Sequence, residues 1–588
     1  MKSSKKLKTD SEAKAMNNKS SVQVYSAFNE KGLKDTIKSS IEHIKKLYLS
    51  DHIPWVIGYS GGKDSTAILQ LIWYAVQELA AEGKCHKDVH VISTDTLVEN
   101  PIVSMWVEKS LNQMHHEAEK QGLPIKPHRL TPAVKDRFWV NLIGKGYPAP
   151  RPKFRWCTDR LKISPSNTFI TNLVDKRGEA ILVLGTRKAE SSARAANMEK
   201  HESNQSNTRR ADGLTANGSL DRVWVYTPIA EWTNDDVWVY LNSVNNPWNF
   251  PNYDLMGMYQ GATDGGECPL VVDKSTQSCG DSRFGCYVCT MVSEDKSMSA
   301  MIANDDEKEW MYPLLQLRNE IDVNDPVHEK KLDKLRRDKA NRDFRRMNGN
   351  LTVHISKHGA DIVPGPYRQH FREHLLGKVL EAQVAVQQAG PEEVKNLELL
   401  PLEELEAIRN IWLEEKLEIE DRVPVIYQQV TGLPYPGERR AHHPILNSKV
   451  MSKLKDYIAQ SQEDPDGLVY EQVRSTIAIA AKHRNQLRRA NLPAELNDNL
   501  EKGAFTNLQE AKEFALDRKR NELVIQRRYL VEKIAEAKTG EDKTLLKDEH
   551  DKINEQINLI TKSIKEVGYS SLIIATDNDE VDEELQQP

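Results

Sequence analysis

A short glycine-containing segment is the part of this sequence best suited to bind an anion. It reads Ser60-Gly61-Gly62-Lys63-Asp64-Ser65-Thr66 and directly follows the apolar run Trp55-Val56-Ile57-Gly58. Glycines let backbone N–H groups approach an anion closely, and the N-terminus of a helix adds partial positive charge. The G-x-x-x-x-G-K-[ST] spacing of a Walker A loop is absent. The segment therefore predicts a strand–loop–helix site for a pyrophosphate group; the alternative is a Gly-Gly turn before an ordinary helix.

Asp95 follows a second strand-like run, at 89–93. A carboxylate beside a triphosphate site can bind Mg²⁺ or a ribose hydroxyl. An ordinary capping role is the alternative interpretation of Asp95. Its position after a neighbouring strand favours the functional interpretation, since polar side chains at the ends of parallel strands meet at one edge of the sheet.

Two arginines follow a third strand-like run, at 180–185. Gly185 ends that run, and Arg187 and Arg194 come shortly after it. Arginine can grip a phosphate with two parallel hydrogen bonds, so both are candidate nucleotide-binding residues. The alternative is a solvated helix start in which Glu190 and Arg194 form an i,i+4 pair.

The cysteines are clustered. The chain has six: Cys85, Cys157, Cys268, Cys279, Cys286 and Cys289. Six cysteines in 588 residues do not make a disulfide scaffold. Four of them fall between 268 and 289, which points to a metal site, and the lack of nearby histidine favours either an iron–sulfur cluster or Cys₄ zinc. Cys85, on a polar loop, is most simply unrelated to that site.

Strands alternating with helices must position these residues. Apolar runs near 54–59, 89–93, 128–130, 180–185 and 223–226 are separated by helical patterns. This alternation predicts an α/β fold with a doubly wound, mostly parallel sheet, whose ligands bind at the carboxyl ends of the strands. An amphipathic helix is expected over 21–50, an exposed loop over 201–217, and an antiparallel pair of long helices over 508–565.

Composition limits the class of protein. The chain of 588 residues is too long for one core, and 29% of its residues are charged. No stretch approaches the roughly 18 apolar residues that span a bilayer, and the basic N-terminus has no apolar segment of a secretory signal. The net charge of -6 gives no overall signal for polyanion binding, although 330–346 is basic. We therefore expect a cytoplasmic protein without a membrane partner.

The expected domain organisation has six parts. They are a disordered basic tail (1–20), a nucleotide-binding α/β domain (21–263), a Cys-rich iron–sulfur module (264–300), a basic helical connector (301–380), an α-helical extension (381–570) and an acidic tail (571–588). The part beyond 380 shows no recognisable chemistry, and we interpret it as a scaffold or interaction domain.

Four motifs together resemble those of a known family. S-G-G-K-D-S-T, D-T-x-V-E, G-T-R-x-x-E-S-x-x-R and W-T-x-x-D-V-W-x-Y are similar to the motifs of the PAPS reductase family of adenine-nucleotide α-hydrolases, over roughly 50–300. S-G-G-x-D-S resembles the PP-loop of ATP pyrophosphatases, which cleave ATP to AMP and pyrophosphate. The resemblance implies Mg²⁺ and ATP bound by Ser60, Gly61, Gly62, Lys63, Asp64, Ser65, Thr66, Asp95, Gly185, Arg187 and Arg194. It implies catalytic roles for Lys63, Asp64, Asp95 and Arg187.

The cysteines indicate a branch of that family. Assimilatory reductases carry a late catalytic cysteine in an E-C-G-[LI]-H element, whereas this chain has no cysteine after Cys289. The sequence C-G-x-S-R-F-G-C-x-x-C-T resembles the DndC-type sulfurtransferases of bacterial DNA phosphorothioation. This resemblance implies a [4Fe–4S] cluster held by Cys157, Cys286, Cys289 and either Cys268 or Cys279, with Cys268 preferred.

The same resemblance implies a function and partners. The chain would use ATP to adenylylate a backbone phosphate oxygen of DNA, so that sulfur from a cysteine desulfurase can displace AMP. Other phosphorothioation proteins, of ATPase and small DNA-binding types, are expected partners. Arg151, Lys153, Arg155 and Arg160 would contact DNA, hold the nucleotide or tune the cluster, and the sequence does not separate these roles. Three alternatives remain: a tRNA thiolase, an assimilatory sulfonucleotide (PAPS/APS) reductase, and a non-catalytic scaffold switched by ATP.

Overall fold

A computed structural model describes most of the chain. The described residues are 26–151, 154–203, 208–209, 213–263, 284–322, 338–438, 448–460, 464, 467–484, 489–503, 505, 507–537 and 540–567. The predicted tails, as well as Cys268 and Cys279, therefore lie outside the described residues. Contacts divide the described residues into two units. The first unit draws on Met1–Pro132, Thr158–Cys286 and Lys296–Glu309, and the second on Ala133–Cys157, Tyr287–Asp295 and Trp310–Pro588.

The first unit is built on a seven-stranded sheet. Its strands are β1 (Trp55–Gly58), β2 (Val89–Thr94), β3 (Ile125–Leu130), β4 (Ala180–Val183), β5 (Thr208–Arg209), β6 (Leu214–Ala216) and β7 (Val223–Tyr226). Their order is β3-β2-β1-β4-β7-β6-β5; β1, β2, β3, β4 and β7 are parallel, and β5 and β6 form an antiparallel edge. The predicted mostly parallel α/β sheet is confirmed. Its central strands are buried because helices cover both faces, which is typical of parallel sheets.

Helices of the first unit follow the strands. They are α1 (Gly32–Leu49), α2 (Lys63–Ala81), α3 (Pro101–Lys120), α4 (Ser164–Arg177), α5 (Ser192–Ser203), α6 (Asn234–Ser243), α7 (Asn252–Gly261) and α8 (Lys296–Asn304). Shorter helical turns are Lys188–Glu190 and Thr158–Ile163. α2 follows the loop after β1. Most of its length is buried against the sheet, because its side chains from Ala67 to Leu79 are mainly apolar.

One prediction for the first unit was wrong. The polar stretch 201–217 is not a loop throughout, because it contains the end of α5 and the edge strands β5 and β6. β6 is held in the sheet because the side chain of Leu214 belongs to the hydrophobic core of the unit. One apolar residue among Asn, Ser and Thr does not reveal a strand by pattern. The predicted helix over 21–50 begins only at Gly32 in the described residues, which start at 26.

The second unit is mainly helical, as the sequence predicts for the part beyond 380. Its helices are α9 (Tyr312–Ile321), α10 (Gln369–Ala389), α11 (Leu402–Asn410), α12 (Arg422–Thr431), α13 (Ser448–Gln460), α14 (Leu468–Lys482), α15 (Leu492–Lys502), α16 (Leu508–Glu536) and α17 (Gly540–Val567). Shorter turns are Val134–Asp136, Val140–Gly144, Glu392–Val394 and Ile411–Glu415. Within the described part of the chain, no helix combines the length and apolar character needed to cross a bilayer.

Two features of the second unit bear on the sequence predictions. The long helices α16 and α17 pack against each other as predicted, through a core that includes Leu523, Leu530 and Ile560. The connector predicted as helical over 301–380 also contains an antiparallel hairpin, β8 (Val353–Ser356) and β9 (Gly359–Ile362). The proposed domain boundaries at 263, 300 and 380 remain predictions.

A buried carboxyl group makes the stability of the second unit depend on pH. Oε1 of Glu404, on α11, lies 3.7 Å from Nη1 of Arg137, and burial raises the pKa of Glu404 to about 8 against the opposing charge of Arg137. The folded state therefore keeps a proton that the unfolded chain releases above its ordinary pKa of 4.5, and stability falls as the pH rises from there to about 8.

We expect the Glu404→Gln variant to lose this pH dependence. At pH 9 it should be more stable than the unaltered chain by about 2–4 kcal/mol, whereas near pH 4 the two should be similar. Urea denaturation at both pH values measures the difference. Parallel loss of stability in both proteins between pH 4 and 9 would contradict the assignment.

Candidate active site

The loop between β1 and α2 has the conformation expected of an anion cradle. Gly61 adopts φ +72°, a left-handed conformation that favours glycine. A Cβ atom at Gly61 would lie 2.6 Å from Cγ2 of Val107, so the position also lacks room for a side chain. Gly62 is the N-cap of α2 and has extended backbone angles. The N-terminal N–H groups of α2 are thereby placed at the carboxyl edge of the sheet, where an anion is stabilised.

Hydroxyl groups fix the shape of this loop. Oγ of Ser65 donates to the carbonyl of Gly62 (3.0 Å) and accepts from the backbone N–H of Ser60 (3.2 Å). The indole Nε1 of Trp106, on α3, donates to the carbonyl of Gly61 at 3.2 Å. The Ser65 bonds join the two ends of the loop and the Trp106 bond ties its middle to α3, so the loop is held in place before any ligand arrives.

The end of β4 approaches the start of α2 without room for a side chain. A Cβ atom on Gly185 would lie 3.0 Å from both C and O of Asp64. Glycine at 185 therefore lets the segment after β4 pass directly beside the loop. This contact brings two sequence motifs that are more than a hundred residues apart into one site.

Asp64 and Arg187 form an ion pair across that contact. Nε of Arg187 lies 2.8 Å from Oδ1 of Asp64, and its Nη1 lies 3.5 Å from the carbonyl of Trp232. Arg187 is only 4% exposed. A buried guanidinium beside the cradle supplies fixed positive charge in a poorly solvated place, where charge acts strongly on a bound anion. Two residues that the sequence predicts as catalytic thus lie in direct contact.

Lys63 and Tyr259 complete the immediate surroundings of the loop. Nζ of Lys63 lies 3.6 Å from Oδ2 of Asp64 and 5.3 Å from the ring centre of Tyr259. Oη of Tyr259, on α7, lies 3.5 Å from the backbone N of Lys63 and 3.2 Å from the position of a Cβ on Gly62. Burial raises the pKa of Tyr259, so its hydroxyl stays protonated at neutral pH. Tyr259 was not predicted, and no local pattern around it signals a role.

Asp95 lies at the end of β2, on the strand next to β1, and is held by an arginine. Its Oδ2 lies 2.6 Å from Nη2 of Arg129, and its Oδ1 accepts from the N–H of Leu97 at 2.8 Å. Asp95 therefore lies at the carboxyl ends of the parallel strands, as predicted. Among the described residues, its side chain contacts Arg129 and Leu97 rather than the β1–α2 loop.

Arg194 lies on α5, and its side chain is outside the described residues. The structure therefore places its backbone just beyond Arg187 but gives no geometry for its guanidinium. Its predicted role in binding nucleotide remains a prediction.

The segment that contains Cys286 runs beside the turn after β2. Sγ of Cys286 lies 3.4 Å from Oγ1 of Thr96, and Cys286 forms an antiparallel bridge with Glu99. Burial raises the pKa of Glu99 to about 7, against the opposing charge of Lys162. The D-T-x-V-E motif and one candidate cluster cysteine therefore share one edge of the first unit.

Cys289 belongs to the second unit, where a buried arginine organises its backbone. Nε of Arg318, on α9, donates to the carbonyl of Cys289 at 3.1 Å, and Nη2 donates to that of Val292 at 2.5 Å. Arg318 is fully buried and pairs with Asp322 at 2.7 Å. Sequence reasoning missed Arg318, because an arginine inside a helix is ordinarily a surface residue.

The predicted metal ligands are only partly described. Cys157 and Cys289 lie in the second unit and Cys286 in the first, whereas Cys268 and Cys279 are not described. Among the described residues, no group of three His, Cys, Asp or Glu side chains gathers as a metal site. The set of cluster ligands thus remains a prediction from the sequence.

Gly185 gives a direct test of the site geometry. We expect Gly185→Ala to abolish most nucleotide turnover, because the added methyl group pushes the start of α2 away from β4, at a cost of about 1–3 kcal/mol in stability. Pyrophosphate release and thermal denaturation measure the two effects. The control is Gly257→Ala on α7, where a Cβ meets no atom within 4 Å and both quantities should stay near those of the unaltered chain. Equal activity in the two variants would show that the close approach is unimportant.

Comparison with known proteins shows which family the part of the chain that carries this site resembles. Residues 54–291 match the model of the phosphoadenosine phosphosulfate reductase domain, so this part of the chain is similar to that family. An uncharacterized protein of Methanocaldococcus jannaschii is 28% identical over 221 residues. That match covers 38% of this chain and 38% of the other protein, so the chain spans well under half the length of this curated relative.

Three solved structures show weak similarity. PAPS reductase from Candida auris is 12% identical with a TM-score of 0.22, covering 37% of this chain and 89% of its own. The U34-tRNA thiolase NcsA from Methanococcus maripaludis is 13% identical with a TM-score of 0.24, covering 49% and 80%. FMN adenylyltransferase from Candida glabrata is 13% identical with a TM-score of 0.21, covering 37% and 60%. We draw no functional conclusion from similarity at this level.

Proposed function

We propose that this chain is an ATP-dependent sulfurtransferase of DNA phosphorothioation. A backbone phosphate oxygen of DNA attacks the α-phosphorus of ATP, the bond to the β-phosphate breaks, and pyrophosphate leaves. A sulfur nucleophile then attacks the activated DNA phosphorus, and AMP leaves with the oxygen. The first step is needed because a phosphodiester oxygen is a poor leaving group until it is esterified to AMP. A cysteine desulfurase is the proposed source of the sulfur: a thiol reductant releases the outer sulfur of its persulfide as hydrosulfide, which is the nucleophile, and the two thiols are left as a disulfide.

The observation that carries this proposal is the arrangement around the β1–α2 loop. The N-terminal N–H groups of α2, the Lys63 ammonium and the buried Arg187 guanidinium lie together beside a glycine cradle. In the first step negative charge develops on the departing pyrophosphate, and fixed positive groups stabilise it most when water is excluded. Asp64 orients Arg187 and, with Asp95, is proposed to position Mg²⁺ or the adenosine.

We also propose an iron–sulfur cluster bound by cysteine thiolates. Cys157, Cys286 and Cys289 would hold it together with Cys268 or Cys279, a donor set of sulfur without histidine that suits iron–sulfur chemistry. When bound, such a cluster would supply electron transfer or a place to hold sulfur. The contacts of Arg318 with the carbonyls of Cys289 and Val292 support a fixed backbone beside one of these thiols.

A sulfonucleotide reductase is the second candidate. The match of residues 54–291 to the phosphoadenosine phosphosulfate reductase domain favours it. Against it, no cysteine follows Cys289, and the only E-C-P-L fragment, at 267–270, lacks the glycine and histidine of the reductase element. Sulfite released from an adenylylated sulfate by the purified chain would establish this alternative.

The test of the proposal is the location of sulfur in the cell. DNA and tRNA from cells with and without this gene are digested to nucleotides and analysed by mass spectrometry. We expect backbone phosphorothioate in DNA only when the gene is present. Gene-dependent sulfur in tRNA bases, with none in DNA, would replace the proposal by a tRNA thiolase. ATP binding without pyrophosphate release, in the presence of all partners, would favour a scaffold.

The proposed cluster makes a prediction for Cys286. Protein purified without oxygen should be brown, and Cys286→Ala should lose most of its iron, sulfide and colour because one thiolate ligand is removed. Cys85→Ala is the matched control, since Cys85 is outside the proposed ligand set and its thiol donates to the carbonyl of Val76 at 3.5 Å. Unchanged iron and sulfide in Cys286→Ala would remove Cys286 from the ligand set.

A further inference from the structure

The second unit contains a charged cleft of about 440 Å³ that the proposed reaction does not use. Its walls come from the segment 343–349, the N-terminus of α10, the segment 414–418, α14 and α15. This volume lies in the range of small-ligand sites. The question is which kind of ligand the charges around it suit.

The N-terminus of α10 presents two arginines where acidic residues are usual. Arg368 is the N-cap and makes no side-chain capping bond, and Arg372 lies in the first turns. The first turn contains no acidic residue. Because the N-terminus of a helix already carries partial positive charge, added cations there are unfavourable without an anion. Both arginines line the cleft, so this end of α10 suits a negatively charged ligand.

Lys416 adds a third cation to the lining of the cleft. It is half-buried, and no carboxylate oxygen of the described residues lies within 4 Å of its Nζ. Burial and the charge of Arg372 lower the pKa of Lys416 to about 8, against the opposing charges of Glu418, Asp343 and Glu415. The repulsion between Lys416 and Arg372 is only partly offset by Glu418, so a further anion would stabilise the charged form of Lys416.

Buried arginines at the base of the cleft keep unused hydrogen-bond donors. Arg372 is 2% exposed and Arg474 is 5% exposed. Arg372 pairs with Glu418, and Arg474 lies 3.4 Å from Glu420. Nη1 of Arg372 and Nε of Arg474 nevertheless have no hydrogen-bond partner among the described residues. A buried donor without a partner is destabilising, and a bound oxyanion would supply the missing hydrogen bond.

The acidic residues of the cleft are mostly neutralised within the protein. Asp343 and Glu471 both pair with Arg345, and Glu495 pairs with Lys482. The remaining acids that line the cleft are exposed; they are Glu414, Glu415 and Asp498. Water and salt screen exposed charges far more than buried ones. The half-buried Arg346, Arg368 and Lys416 form no ion pair with the described residues, so the less exposed part of the cleft keeps an excess of positive charge.

The backbone next to Lys416 is strained. Leu417 lies between Lys416 and Glu418 and adopts φ +56°, in the left-handed region. A leucine in this conformation is strained, and such strain is concentrated at binding sites.

From these observations we propose that the cleft binds a phosphate group. Two arginines at a helix N-terminus, a lysine in the same lining and unused guanidinium N–H groups are the donors that a tetrahedral phosphate uses. The ligand is either a mononucleotide or a phosphate of a nucleic-acid strand, since both present the same group. The site consists of second-unit residues alone and is additional to the β1–α2 loop.

Binding measurements on the full chain test this proposal. Because the β1–α2 loop also suits phosphate, all proteins carry Lys63→Ala and Asp64→Ala. The probes are inorganic phosphate, AMP and a 5′-phosphorylated single-stranded oligonucleotide, each compared with chloride at equal ionic strength. The cleft variants are Lys416→Met and Arg368→Gln, which break no ion pair of the described residues. The control is Lys357→Met at the exposed β8–β9 turn.

We expect at least one probe to bind and each cleft variant to weaken it by about tenfold or more, with Lys357→Met unchanged. If the cleft variants weaken the binding of phosphate and AMP, the cleft is a small-molecule site. If they weaken the binding of the oligonucleotide alone, the cleft binds a nucleic-acid strand. No binding of any probe at about 10 mM, or equal affinities in all variants, would overturn the proposal. Melting temperatures within a few degrees of each other show that the variants are folded.

Discussion

Lys63→Ala combined with Asp64→Ala should reduce pyrophosphate release by about a thousandfold or more, and phosphorothioate should disappear from the DNA of the host. The variant removes the loop lysine and the partner of Arg187 at once. Removal of a single fixed donor to a developing oxyanion already costs about a hundredfold to a thousandfold. The measurements are pyrophosphate release in vitro and mass spectrometry of digested DNA from the complemented strain.

The stability of this double variant must be followed as well. Without Asp64, the buried Arg187 keeps only the carbonyl of Trp232 as a described partner, which costs about 1–3 kcal/mol. Asp64→Asn separates the effects, because an amide oxygen can still accept from Arg187 while the negative charge is lost. We expect Asp64→Asn to melt close to the unaltered chain and to lose most activity.

A surface pair serves as the matched control for this experiment. Glu82→Ala with Lys84→Ala removes an exposed lysine–carboxylate pair just after the other end of α2, where the two charged atoms lie 2.7 Å apart. Exposed pairs contribute about 0–1 kcal/mol, so activity and stability should both be retained. Full pyrophosphate release by the Lys63/Asp64 variant would show that the loop is not the catalytic site.

Arg318→Met should destabilise the second unit by about 3–5 kcal/mol. The guanidinium pairs with the buried Asp322 and donates to the carbonyls of Cys289, Val292 and Ser293. Its loss leaves a buried carboxylate without its cation and three carbonyls without a donor. The segment after Cys289 should then become accessible to protease, and the absorbance of any bound cluster should fall.

Two further variants show whether lost charge pairing or lost packing causes the instability of Arg318→Met. Arg318→Met with Asp322→Leu removes both charges, so part of the stability should return while the segment after Cys289 stays loose. Lys378→Ala on α10 removes a surface i,i+3 partner of Glu381 and should change stability by no more than about 0.5 kcal/mol. Arg318→Met as stable as Lys378→Ala would contradict the role given to this arginine.

The parts of the site that were predictable are those encoded by contiguous sequence. Gly61, Gly62 and Lys63 follow a buried strand directly, so the strand–loop–helix pattern places them without knowledge of the rest of the fold. The strand that ends before Gly185 is equally visible as an apolar run. Parallel pairing of such strands then implies that Asp64 and Arg187 lie at one edge, and the structure brings them into contact.

The missing parts depend on contacts between distant segments. Tyr259 reaches the loop from α7, and Arg129 holds Asp95 from an edge strand, yet nothing near either residue in sequence announces its partner. The β8–β9 hairpin is different. Its V-H-I-S run before His358-Gly359 alternates between apolar and polar residues, a local signal that the helical interpretation of the connector overlooked.

The path of the chain restricts how this protein can be divided for experiments. The chain alternates five times between the two units, so neither unit is one continuous stretch. A fragment that stops near residue 300 would keep 133–157 but lose its packing partners: Trp412, which donates to the carbonyl of Ile143, and Glu403, which pairs with Arg137. The apolar side chains of that segment would then face water. Point variants in the full chain therefore preserve the fold, whereas truncation removes the contacts that hold 133–157 in the second unit.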